Sequence, residues 1–195
     1  MDLPNKKYQI IYADPPWKYT QKNIPPLSYN TKNGKYFGVS DHYDTMDVKE
    51  IANIPIQNIA DKNCALFLWG TFPNLKEAIY VIESWGFRYV TVGFTWIKTI
   101  STGKPFFGIG YYTKSNAEVC LLGMKGSMKP ISNKISSVIM SKLEEHSKKP
   151  SEARKRIVDL FGDVPRIELF ARNRFNGWDS WGNELSDTIQ NSIEG

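Results

Sequence analysis

Tyr8-Gln9-Ile10-Ile11-Tyr12-Ala13-Asp14-Pro15-Pro16-Trp17 decides the fold class. Its first six residues are a short, mostly apolar run of strand-forming types. Asp14-Pro15-Pro16 ends that strand, because proline has no N–H to give to a central ladder. Working outward, Cys64 to Trp69 reads as a second buried strand. Pro73 opens a helix with Leu75, Ala78, Ile79 and Ile82 on one face, closing near Gly86. Val90 to Ile97 and Glu118 to Met124 read as a third and a fourth strand. Pro150 opens another helix, with Ala153, Ile157, Leu160 and Phe161 on one face and Gly162 as its cap. Arg166 to Ala171 is a fifth strand. Strands alternating with amphipathic helices predict an α/β fold with a largely parallel sheet. No repeat, low-complexity tract or Pro/Gly/Ser linker divides residues 1–195, so one domain is expected.

The 195 residues are 41% hydrophobic and 13% aromatic. That is enough to bury a substantial core, and it excludes disorder as a description of the whole. No apolar run approaches the roughly 20 residues needed to span a bilayer, so no membrane association is expected. The polar start, Met1 to Lys7, shows no secretory signal. Cys64 and Cys120 each sit inside an apolar run, and His42 and His146 are far apart. This argues against a disulfide framework and against a metal site, and for a reducing cytoplasm. The formal charge of +5 is concentrated in one place: residues 98–156 carry a net +8, residues 1–97 carry +1 and residues 157–195 carry −4. Such a stretch suits a polyanion-binding surface, although a solvated lysine face would have the same composition. Lys18 to His42 is polar and aperiodic, too long for a mere connector. Three segments, 18–42, 100–115 and 125–149, are expected to be substrate-binding loops. Lys125, Lys129, Lys134 and Lys142 should line a groove rather than belong to a packed element.

Ligands of open α/β sheets bind beyond the carboxyl ends of the strands, and Asp14-Pro15-Pro16-Trp17 falls at such an end. The tetrapeptide suits methyl transfer to an exocyclic amino nitrogen, whose lone pair is delocalised into its ring. The Asp14 carboxylate and the Pro15 carbonyl can accept both N–H groups, drawing the nitrogen towards tetrahedral geometry. Pro15 and Pro16 stiffen the backbone, so the acceptors are set in advance. Trp17 offers a flat face for an extruded base. The bare four residues also suit a Pro-Pro turn with Trp17 in the core. The polar loop that follows, and further segments along the chain, favour the chemical reading.

Those segments occur in a fixed order: Ala13 to Trp17, Tyr43 to Met46, Leu66 to Trp69, Trp96 to Thr99, Glu118 to Gly123, Lys149 to Glu152, Ile167 to Arg172 and Trp181 to Leu185. Together they resemble the adenine N6-methyltransferase family typified by the catalytic subunit of the eukaryotic mRNA adenosine methyltransferase, which has bacterial and phage relatives acting on DNA. The likeness covers about Tyr8 to Leu185. It implies a Rossmann-like methyltransferase sheet with helices on both faces, in circularly permuted order, the catalytic motif coming first and the main cofactor strand, Arg166 to Ala171, late. It implies S-adenosylmethionine as cofactor, with Asp14, Lys149, Phe170, Arg172, Asn183 and Glu184 lining its site. Lys149 would pair with the methionine carboxylate, and Arg172, Asn183 and Glu184 would bond ribose hydroxyls. Phe170 would pack on the adenine. Tyr43, Trp96 and Lys98 would face the target adenosine. Arg174 and Phe175 depart from the His-Asn pair of the eukaryotic enzyme.

The function expected is therefore adenine N6 methylation in nucleic acid, with DNA preferred to RNA. The alternatives are an RNA adenosine methyltransferase and a non-catalytic nucleic-acid-binding partner subunit; an oligomer or a partner chain is left open. An intact Asp14 to Trp17 weighs against the silent partner. With no G-x-G-x-x-G and no P-loop lysine, nicotinamide and nucleoside triphosphate chemistry are disfavoured.

Overall fold

The computed structural model describes residues 2–18, 45–108, 112–143, 148–183, 185 and 189–190. In chain order its main elements are β1 (Tyr8–Ala13), α1 (Val48–Ala52), β2 (Ala60–Gly70), α2 (Leu75–Ser84), β3 (Arg88–Thr99), β4 (Ala117–Lys125), β5 (Val138–Lys142), α3 (Ser151–Phe161), β6 (Arg166–Leu169), β7 (Arg174–Phe175), β8 (Asp179–Trp181) and β9 (Ile189–Gln190). Seven strands form one sheet in the order β5-β3-β4-β2-β1-β6-β8. β1 lies parallel to β2 and β6, β6 to β8, and β3 to β5, while β4 runs against β2 and β3. The largely parallel sheet is present, with β4 as its reversal. The chain returns from Thr99 to Ala117 at the same edge, which only an antiparallel partner allows.

β1 is buried on both faces, which is why its sequence is a continuous apolar run rather than an alternation. Tyr8, Ile11 and Ala13 meet α1 and α2, together with Leu66, Leu68, Ala78 and Ile82. Ile10 and Tyr12 face α3, with Phe67, Trp69, Phe94, Ala153 and Ile157. Helices thus cover both faces, as expected of a Rossmann-like methyltransferase sheet. The first strand of the chain lies beside β6, from near its end, which is the permuted order. No helix among the described residues is long and apolar enough to cross a membrane.

Several boundaries differ from expectation. α1 was not foreseen: its five residues are too few to show a periodicity, and Asp47 and Glu50 form a capping box that fixes its start. Pro73 belongs to a 3-10 turn, Phe72–Asn74, that leads into α2 rather than opening it. β6 stops at Leu169, because Phe170 adopts φ +58° and turns the chain. The stretch 125–149 is not all loop: Val138–Lys142 pairs with β3 as an edge strand. Only Ile139 enters the core there, while Val138 and Met140 stay exposed, so one buried side chain was the whole hydropathic signal.

The reversal of β4 also divides the lysines. Its nine residues span roughly 27 Å at the usual rise, from Ala117 at the carboxyl edge of the parallel strands to Lys125 at the amino edge. The chain is still there at Ile131, whose N–H bonds to the Leu160 carbonyl in the last turn of α3. Lys125 and Lys129 therefore lie on the edge opposite Asp14, whereas Lys142, at the end of β5, lies on the same edge.

Candidate active site

Four charged side chains come together on the α3 side of the carboxyl edge, each placed by an element end. Asp14 follows β1, Lys149 precedes α3, Glu118 is the second residue of β4, and Lys98 is near the end of β3, beside the pair Trp96 and Glu118. Lys149 Nζ lies 2.8 Å from Asp14 Oδ2 and 3.2 Å from Glu118 Oε2. Glu118 Oε1 lies 2.5 Å from Lys98 Nζ. The result is a row of alternating sign, Asp14–Lys149–Glu118–Lys98. Beneath it lie two indoles packed edge to face, Trp69 and Trp96, with centroids 6.3 Å apart. Lys149 stands 5.7 Å above the Trp69 ring and Lys98 5.2 Å above that of Trp96.

Burial pulls the Lys149 ammonium down, but Asp14 and Glu118 more than offset it and hold its pKa above the ordinary lysine value. Burial likewise pushes the Glu118 carboxyl up, and Lys149 and Lys98 bring it below the usual carboxylate range. Both groups stay charged through neutral pH. Lys149 and Glu118 therefore act as fixed charges in the row.

The backbone of the Pro-Pro motif is held as firmly. Trp17 N–H donates to the Pro15 carbonyl at 2.9 Å, and Met46 N–H to the Pro16 carbonyl at 2.8 Å. Lys18 N–H returns to the Met46 carbonyl, and Trp17 and Met46 form an isolated parallel bridge. The Trp17 side chain is 6% exposed and its indole N–H donates to the Trp69 carbonyl at 3.0 Å. Its face is therefore committed to the core and anchors the turn, rather than standing open to a base. Trp96, expected to face the substrate, is 1% exposed; it supports Lys98 from below.

The residues expected at the cofactor end gather where β6 and β8 end. Phe170 meets the Trp181 ring edge to face at 5.6 Å. Ala171 N–H donates to the Trp181 carbonyl at 3.0 Å. At Gly182 a Cβ would stand 2.4 Å from the Ala171 carbonyl oxygen, so only glycine lets the two turns touch. Half-buried Arg172 and exposed Asn183 follow directly on these turns. Tyr43 and Glu184 lie outside the described residues. Arg174 is exposed, and Phe175 packs 3.8 Å beneath the Arg154 guanidinium.

Two buried carboxylates have partners that the sequence does not name. In the sequence Glu118 reads only as the first residue of an apolar strand; its signal is a lone carboxylate in Ala117-Glu118-Val119-Cys120-Leu121-Leu122, which burial obliges to find a cation. Glu168 is buried and bonded twice by Arg154, at 2.7 and 2.6 Å. Arg154 lies among the buried residues of α3, where a cation is equally out of place.

The pattern of a family described as MT-A70 matches residues 8–184. The chain belongs to the MT-A70 family. It is similar to the type II methyltransferase M.MunI of Mycoplasma sp, with 37% identity over 98% of this chain and 82% of that protein. A putative N(6)-adenosine-methyltransferase MT-A70-like of Medicago truncatula is 30% identical over 92% of the chain. The N(6)-adenine-specific methyltransferase METTL4 of Homo sapiens is 27% identical over the same share. The chain spans only 27% and 38% of the lengths of those last two proteins. This MT-A70 domain is a methyltransferase, and the charged row lies at the carboxyl ends of its parallel strands, the edge at which open α/β sheets in general bind ligands.

Proposed function

We propose that this MT-A70 domain transfers the methyl group of S-adenosylmethionine to the exocyclic N6 of adenine in nucleic acid, with DNA as the preferred substrate. The observation that carries the proposal is the state of Asp14. Lys149 occupies its Oδ2, so Oδ1 is left to accept an N–H of the target amine. The Pro15 carbonyl accepts from Trp17 and keeps a second lone pair for the other N–H. Both acceptors are fixed before substrate arrives, so the amine meets a preset geometry. The proton that the nitrogen sheds on methylation then has the Asp14 carboxylate as a neighbouring acceptor.

The residues present fit the cofactor. Lys149 has three donors, of which Asp14 and Glu118 account for two, leaving one to meet the methionine carboxylate. Phe170, Arg172 and Asn183 stand at the adjoining ends of β6 and β8, where the contact at Gly182 keeps the backbone tight. When bound, S-adenosylmethionine supplies an electrophilic methyl group on sulfur. The preference for DNA is supported by the likeness to M.MunI, a type II methyltransferase. Grip on the phosphates falls to lysines of the carboxyl edge, Lys104, Lys114 and Lys142, all exposed.

The test is methyl transfer from labelled cofactor to DNA, RNA and protein pools, followed by identification of the product. N6-methyladenine in DNA is expected. Label mainly in RNA would move the substrate to RNA, label in protein would overturn the nucleic-acid reading, and no transfer to any pool would favour a non-catalytic partner subunit.

A further inference from the structure

Glu118 makes two ion pairs, and neither the motif nor the comparisons give it a role. Its side chain is 11% exposed, and its two oxygens go to different lysines, Oε1 to Lys98 and Oε2 to Lys149. It stands on β4, the one reversed strand, and so approaches the row from the side opposite Asp14. Lys149 is thereby held between two carboxylates over the face of Trp69. Asp14 has no comparable restraint: 30% of its side chain is exposed, and Lys149 is the only side chain among the described residues that bonds it.

We propose that Glu118 is the positioning residue of the site: by drawing Lys149 to one side, it confines the ammonium to Oδ2 of Asp14 and reserves Oδ1 for the target amine. Without Glu118, Lys149 would have one carboxylate as partner and would settle across both of its oxygens, competing with the amine for the acceptor. Lys98 braces the arrangement, because its bond to Oε1 fixes the plane in which Oε2 points. Glu118 acts through Lys149 and touches no substrate. The inference rests on Asp14 being the amine acceptor.

The experiment is a double-mutant cycle. Glu118→Gln keeps the volume and a hydrogen-bonding oxygen but removes the charge that draws Lys149. Glu118→Gln is expected to lower kcat by about 10²-fold, the usual effect of a displacement of about 1 Å at a reacting group, with KM for the nucleic acid little changed. In a Lys149→Ala background the same substitution should change kcat by less than about threefold, since the two residues act as one unit. A full-sized loss in both backgrounds would overturn the proposal, and so would wild-type kcat in Glu118→Gln. A readout independent of turnover is NMR of the enzyme labelled with ¹⁵N-lysine. A slowly exchanging ammonium signal from Lys149 should be present in the wild type and lost in Glu118→Gln, and its persistence would count against positioning. Asp14→Ala serves as the separating control. If it still transfers methyl groups, the reading of Asp14 fails; if it is dead while Glu118 and Lys149 prove independent, only the present inference fails.

Discussion

In the proposed reaction Asp14 and Lys149 work as a pair, joined by their ion pair. Asp14→Ala should abolish methyl transfer with the fold intact, a loss on the order of 10²–10³ in rate, and Asp14→Asn should retain at most a small fraction; steady-state turnover on DNA checks both. Lys149→Ala should weaken S-adenosylmethionine binding by roughly 1.5–3 kcal/mol, the worth of a charge-assisted contact. Calorimetry on the free enzyme measures it, and an unchanged Kd would remove Lys149 from the cofactor site. The row also sets a pH window. Lys149 titrates above its ordinary 10.5, so its stabilisation is complete below that pH and is lost as pH rises through the higher folded value. Glu118 titrates below its ordinary 4.5, so its stabilisation is complete above that pH and fades as pH falls through the lower value. The Tm gap between wild type and Glu118→Gln should therefore be constant from about pH 6 to 9 and close as Glu118 protonates in acid. At this scale Asp14 is legible in the sequence because prolines end its strand, whereas Lys149 enters only through the family resemblance. Glu118 stayed hidden because its partners lie on two other elements, and no local pattern marks a contact made through the sheet.

Among the elements, the turn after β6 and the turn after β8 are held by a contact that leaves no room for a side chain. Gly182→Ala should destabilise the protein by about 1–3 kcal/mol, as overpacking does, and weaken cofactor binding at the same time. Urea unfolding and calorimetry test the two effects on one preparation. α3 is joined to β6 by the buried pair of Arg154 and Glu168. Arg154→Ala strands the carboxylate and should cost about 3–5 kcal/mol, whereas replacing both partners with Met and Leu should restore most of the loss. The midpoint of urea unfolding distinguishes the two. The faces of α2 and α3 were readable because each spans ten or more residues with a regular apolar stripe. α1 and β5 were not, since five residues each hold too few buried positions to make a period. The end of β6 was misplaced because nothing in Leu169-Phe170-Ala171 announces a left-handed residue at Phe170.

Across the whole molecule, proximity in sequence misleads about charge. Residues 98–156 form one basic stretch, yet β4 carries Lys125 to the edge away from Asp14 and β5 brings Lys142 back. If the carboxyl edge meets nucleic acid, Lys104→Ala combined with Lys142→Ala should reduce the log–log salt slope of duplex binding by up to about two, at about 0.9 per phosphate. Lys125→Ala with Lys129→Ala should leave the slope unchanged, and filter binding over a salt series separates the outcomes. A slope that responds only to the second pair would place the nucleic acid on the opposite edge. The bridge between Trp17 and Met46 matters in a different way. It brings the two ends of residues 19–44 together beside Asp14, so what is spliced between them need not disturb the acceptor. Each doubling of such an insert adds only about 0.6 kcal/mol of closure entropy. The bridge is thus a clasp: an insert exchanged between its two ends, longer or shorter, should leave the geometry at Asp14 unchanged.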